Sequence, residues 1–217
     1  MTLAAQEETL LGVIRDIYLV STRCGIKTYL WGGLVRDVYA GRFLRTHGDV
    51  DGFTCHLWAR KDDLAEEYER LGYAVTFLEE VQFLRIERGG IHAVLNCLDS
   101  EGETALWRHI GEQGTVGFPL DWLPTTPLPF YDTFAYVAGV EFEYCIKTNP
   151  RLLSPTWQGR EKDRETLGWL EEELQRQEKP AEEILEKIWS YNPYWIRKGY
   201  PEYRFRIYAS TPHHKPD

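Results

Sequence analysis

Long apolar runs are missing from this 217-residue chain. No stretch approaches the roughly 18 consecutive apolar residues of a membrane-spanning helix. The N-terminus also lacks a basic patch followed by an apolar run of the kind that directs export. A cytoplasmic protein that does not enter a membrane is the expectation. Paired cysteines are missing too: Cys24, Cys55, Cys97 and Cys145 are far apart and form no C-x-x-C, which argues against a zinc site and a disulfide framework. Positive charge is scarce, with 25 Lys and Arg against 34 Asp and Glu and a formal net charge of -9. General affinity for nucleic acid draws on clustered basic residues, so this balance argues against a nucleic-acid partner. It suits a cationic small substrate, or simply a soluble surface. Internal repeats and low-complexity segments are absent, leaving a length that fits one large domain or a catalytic domain with an appendage.

What is present is concentrated between Trp31 and Asp51, WGGLVRDVYAGRFLRTHGDVD. Tyr29-Leu30-Trp31 is a short apolar run suited to a buried strand, and Gly32-Gly33 interrupt it before a helical segment, 34–40. A glycine turn opening a helix offers backbone N-H groups and a positive dipole end to phosphate. Asp49 and Asp51 then alternate on an extended strand, so both carboxylates point to one face and can converge on a hard cation such as magnesium. Either motif alone is weak, since a double glycine is commonly only a tight turn; their order and spacing together carry the signal.

That pattern resembles the DNA polymerase beta-type nucleotidyltransferases, and within them the small adenylyltransferases that act on aminoglycoside and lincosamide antibiotics. The family signature of strand, Gly-Gly, a short helix with an acid, Gly-Arg, then Arg-x-His-x-Asp-x-Asp falls without gaps on Gly32, Gly33, Asp37, Gly41, Arg42, Arg45, His47, Asp49 and Asp51. The Val35-Arg36-Asp37 wording is closer to tRNA-terminus-adding and poly(A)-type relatives, whose link from Gly-Arg to the acidic pair is shorter.

The resemblance implies an α/β (α+β) fold: a mixed β-sheet nucleotidyltransferase core flanked by helices, with a C-terminal helical region. It implies magnesium at Asp49 and Asp51, the triphosphate of ATP or another nucleoside triphosphate along Gly32 and Gly33, and charge offset from Arg42 or Arg45. Arg45 has a rival role as a structural partner of the acidic cluster. His47 and Asp37 are expected to support the site from behind. Lys162, with Asp163, echoes a family Lys-Asp pair that would reach the triphosphate, with a salt-bridged helix surface as its rival role. The family's third acid is missing, because Val94-Leu95-Asn96-Cys97 lines up with Leu-Leu-Asp-Cys. An asparagine amide binds a cation through its oxygen but takes no proton at ordinary pH. Asp99 or Glu87 from a nearby position, or His92 as base, are the substitutes the strand offers.

Along the rest of the chain, periodicity predicts helices over 5–24 and 61–71, a strand over 74–78, and a hairpin of 81–87 and 91–98 turning at Arg88-Gly89-Gly90. Residues 99–134, rich in Gly and Pro and carrying Phe118, Trp122, Phe130 and Tyr131, read as a loop-rich insertion, either an ordered flap that walls a pocket or a surface excursion packed by its own aromatics. Residues 136–147 alternate as a further strand or hairpin. The expected division is a nucleotidyltransferase domain, 1–147, and the helical region, 148–217, in a monomer or homodimer. The function expected is transfer of AMP from ATP to a hydroxyl of a small, cationic acceptor. Two other readings stand beside it: a degenerate nucleotide-binding or interaction module, favoured by Asn96, and an RNA- or protein-modifying transferase, favoured by the Val-Arg-Asp wording and the aromatic-basic stretch 191–208.

Overall fold

In chain order the elements are α1 (Ala5–Arg23), β1 (Thr28–Trp31), α2 (Leu34–Tyr39), β2 (Asp49–Cys55), α3 (Lys61–Arg70), β3 (Ala74–Leu78), β4 (Phe83–Arg88), β5 (Ile91–Glu101), β6 (Thr104–His109), β7 (Gly114–Pro119), β8 (Leu128–Phe130), β9 (Thr133–Val137), α4 (Val140–Thr148), α5 (Asp163–Arg176), α6 (Ala181–Leu185), β10 (Trp189–Tyr191), α7 (Pro193–Arg197) and β11 (Arg206–Ile207). The computed structural model describes residues 4–109, 114–158, 161, 163–204 and 206–207. The chain forms two compact units, one of residues up to Asp99 together with 123–138, the other of 100–122 together with the residues from Gly139 onward. No helix among the described residues is long and apolar enough to cross a membrane.

In the first unit the strands lie in the order β8-β9-β1-β2-β5-β4-β3. The β9/β1 and β2/β5 pairs are parallel and the others antiparallel, which is the mixed sheet expected. α1 buries Leu10, Val13, Ile14, Ile17 and Val20, the spacing of a helix laid on a sheet. A buried hydroxyl chain ties it there: Ser21 Oγ to Thr28 Oγ1 at 2.7 Å, and Thr28 Oγ1 to Thr54 Oγ1 at 3.0 Å. At the far side Asp16 of α1 is met by the Arg88 guanidinium at 2.6 Å and the Tyr73 hydroxyl at 2.9 Å. The β4–β5 hairpin turns at Gly89 and Gly90, both with positive φ (60° and 79°).

The second unit pairs β6, β7, β10 and β11 in an antiparallel series. Phe118 and Phe142 pack at 4.7 Å between ring centres, and Phe118 stacks on Trp122 at 6.2 Å. A buried pair, Lys147 Nζ to Asp163 Oδ1 at 3.0 Å, fastens α4 to α5.

Three sequence expectations change. Residues 99–134 are not a loop-rich insertion, since β6, β7, β8 and the start of β9 lie within them. Pro119 ends β7 and Pro129 sits on β8, with Pro124 and Pro127 in the connection before β8, and Gly117 is a packing glycine: a Cβ there would lie 2.1 Å from the Trp189 indole. Phe118, Trp122 and Phe130 are buried core residues rather than lining of a flap. Residues 136–147 end β9 at Val137 and then form α4, which is buried on all sides from Val140 to Lys147, so its alternation reflects no exposed face. The stretch 148–217 contains β10 and β11 beside its helices. Gly117→Ala is expected to cost about 2 kcal/mol through overpacking against Trp189, read as a lower melting temperature; an unchanged one would contradict this packing.

Candidate active site

On β2 the side chains alternate, so Asp49, Asp51 and Phe53 share one face and Val50, Gly52 and Thr54 the other. Val50, Gly52 and Thr54 are buried, whereas Asp49 is exposed and Asp51 half-buried. Register fixes the neighbours: His92 stands opposite Asp49, Trp31 and Val94 opposite Asp51, and Tyr29 and Asn96 opposite Phe53. Trp31 and Val94, which the motif does not signal, are therefore the cross-strand neighbours of Asp51. The Trp31 indole stacks on Phe53, 5.5 Å between centres and 8° from parallel.

The glycine loop runs beside this pair. Gly32 has φ +79° and lies so close to Asp51 that a Cβ on it would be 3.6 Å from Oδ2. A Cβ on Gly33 would fall 2.2 Å from Arg45 Nη2 and 3.2 Å from two atoms of the His47 ring, so both side chains rest over the glycine. The segment between α2 and β2 is held by the Asp37 carboxylate, whose Oδ2 lies 2.7 Å from His47 Nε2 and accepts the Leu44 N-H at 3.2 Å. Both Asp37 and His47 are buried. Gln6 Nε2 donates to the His47 carbonyl at 3.3 Å, and the Phe43 N-H donates to the Tyr131 hydroxyl at 3.0 Å. Arg42 and Arg45 are exposed, with Arg45 Nη1 at 3.5 Å from the Thr46 carbonyl.

Asp49 and Asp51 make a hard oxygen pair, the contribution a protein commonly gives magnesium when phosphate and water complete the shell. Among the described residues no three His, Cys, Asp or Glu side chains gather into a metal-holding group. The donor set therefore fits a cation that arrives with a triphosphate better than a permanently caged one.

Asn96 is buried, sits opposite Phe53, and donates from Nδ2 to the Gly52 carbonyl at 3.3 Å. Asp99 belongs to the other face of β5, because it is three positions on from Asn96, an odd offset; it cannot stand in for an acid beside Asp51. Glu87 is on the site face, opposite His92, and pairs with Arg85 at 3.1 Å. Of the substitutes considered, His92 has the register position next to the pair. Lys162 lies outside the described residues, and its neighbour Asp163 is the partner of Lys147.

Several solved structures align with most of the chain. The solution structure of the antibiotic-resistance factor ANT(2'')-Ia is 17% identical, covers 89% of this chain and 94% of its own, and superposes with a TM-score of 0.60. The crystal structure of ANT(2'')-Ia in complex with adenylyl-2''-tobramycin is 19% identical, with 81% and 92% covered and a TM-score of 0.58. The lincomycin-bound lincosamide antibiotic adenylyltransferase LnuA is 16% identical, with 76% and 96% covered and a TM-score of 0.54. The chain has the nucleotidyltransferase fold. No family model matches the sequence, and no curated protein matches it. Within the nucleotidyltransferase fold the glycine loop, the Asp37–His47 brace and the Asp49–Asp51 pair form one contiguous stretch of the first unit.

Asn96→Asp tests the missing acid. It would set a carboxylate against the Gly52 carbonyl in place of a donor, and is expected to cost about 1 to 3 kcal/mol without raising pyrophosphate release from ATP. A gain in turnover would instead identify position 96 as a vacated acid site.

Proposed function

We propose that the chain transfers AMP from ATP to a hydroxyl of a small, cationic acceptor resembling an aminoglycoside or lincosamide. One observation carries this reading: two carboxylates, Asp49 exposed and Asp51 half-buried, share a strand face beside a glycine loop that passes Asp51. Support for the acceptor class comes from solved proteins of the same fold whose complexes hold adenylyl-2''-tobramycin or lincomycin, and from the net charge of -9.

In this reading Asp49 and Asp51 hold magnesium, the Gly32 and Gly33 backbone lines the triphosphate, and Arg42 and Arg45 offset phosphate charge. Magnesium, when bound, offsets charge on the triphosphate and on the departing pyrophosphate. The chain's own part is largely positioning. It aligns the acceptor oxygen for attack on the α-phosphorus while the bond to the bridging oxygen breaks and pyrophosphate leaves. The hydroxyl proton needs a receiving group, and His92, opposite Asp49 in register, is the candidate for it. Asp37 and His47 keep the loop in place.

The test is incubation with α-labelled ATP, magnesium and a panel of aminoglycosides and lincosamides, followed by mass spectrometry. An acceptor gaining one AMP, with an equal amount of pyrophosphate, is expected. A second reading, a nucleotide-binding module without turnover, draws on Asn96 being committed to Gly52; binding of ATP with no adduct across the panel would favour it.

A further inference from the structure

β3 closes one end of the first unit's sheet: among the described residues it pairs with β4 alone. Its five residues, Ala74-Val75-Thr76-Phe77-Leu78, include no charge and no proline. Ala74, Thr76 and Leu78 are exposed, Leu78 to 39%, and Val75 and Phe77 are half-buried. Free edges of this kind are normally blunted with lysine, proline or a bulge, and none is found within this strand.

The strand is also self-complementary. If two copies pair antiparallel about Thr76, Thr76 meets Thr76, Val75 meets Phe77, and Ala74 meets Leu78. Each is a favourable cross-strand pair and none opposes like charges. Beyond the strand, Tyr73 would face Glu79, so the acidic Glu79-Glu80 step does not meet itself. Several carboxylates on α3 and just beyond β3 already have cationic partners within the chain: Asp63 with Arg60 at 3.0 Å, Glu66 and Glu67 with Arg70 at 3.3 Å and 2.9 Å, and Glu79 with Lys61 at 3.6 Å. This lowers the repulsion between neighbouring acidic elements.

We propose that β3 is a dimerisation edge whose partner is β3 of a second copy of this chain, making one sheet continuous through both first units. The two-fold axis of such a pair is perpendicular to the sheet at the β3–β3 seam, and the twist of roughly 20° per strand spacing turns the Asp49–Asp51 faces of the two copies well away from one another. They lie seven strand spacings apart, or about 34 Å at ~4.8 Å per strand.

The experiment is sedimentation of the full chain over a concentration series, with Thr76→Lys and Thr76→Glu, singly and mixed. Thr76 is exposed, so neither change is expected to shift the melting of the monomer. The parent chain should dimerise reversibly; each variant alone should dimerise about tenfold more weakly or not at all, since like charges would meet at the axis. An equimolar mixture should restore the dimer through Lys-Glu pairing. If a Thr76 variant melts early, Leu78→Lys replaces it, with the same loss expected. A parent chain that stays monomeric at every concentration would overturn the proposal, as would a Thr76→Lys variant that dimerises like the parent.

Discussion

Replacing Asp49 and Asp51 together by asparagine is expected to weaken magnesium-dependent ATP binding by about two orders of magnitude or more while leaving folding intact. The two halves of this expectation have separate causes. An asparagine oxygen still binds a cation, but without the charge that draws a hard divalent ion into a site completed by phosphate and water. Folding is spared because Asp49 is exposed and Asp51 half-buried, and asparagine keeps the size of aspartate; exposed changes of this kind stay within about 0.5 kcal/mol. Titration calorimetry with ATP, with and without magnesium, measures the first, and thermal melting the second. Unchanged ATP affinity in a normally melting variant would move the site away from β2.

Asp37→Ala is expected to act in the opposite way, on folding before binding. Its Oδ2 serves both the His47 ring and the Leu44 N-H, in a buried setting. Truncation orphans two polar groups, each worth about 1 to 3 kcal/mol when left unpaired, so a loss of about 2 to 6 kcal/mol is expected in urea unfolding. Because His47 rests over Gly33, the surviving folded fraction should also bind ATP less tightly. A loss below about 1 kcal/mol would mean that the segment before β2 is held by its aromatic contacts, Phe43 on Phe130 and Tyr131, rather than by the carboxylate.

The local signals that fixed the first unit were strong ones. Period-3.6 burial marks α1, Gly89-Gly90 marks a hairpin turn, and the Asp49–Asp51 alternation places both carboxylates on one face, because each depends on residues close in sequence. Names without connections were also legible: Asp37 and His47 both stand out in the motif, but their bond to one another depends on how the chain turns between α2 and β2. What escaped depends on distant partners. Gly114, Gly117 and Pro119 look like loop residues until Trp189, some seventy positions later, covers Gly117. Val140 to Lys147 alternates like a strand, yet burial on every side removes the amphipathic stripe by which a helix is usually read. Position 96 shows the same limit at the site, since alignment with the family's acid says nothing of the register that sets Asn96 opposite Phe53 and Val94 opposite Asp51.

Thermal melting of the purified chain with ATP, with magnesium, and with both together tests the central claim most directly, because a ligand bound to the native state must raise the melting temperature. Stabilisation is expected only when both components are present, and it should vanish when Asp49 and Asp51 are asparagine. No shift with ATP or any other nucleoside triphosphate in the presence of magnesium would contradict it.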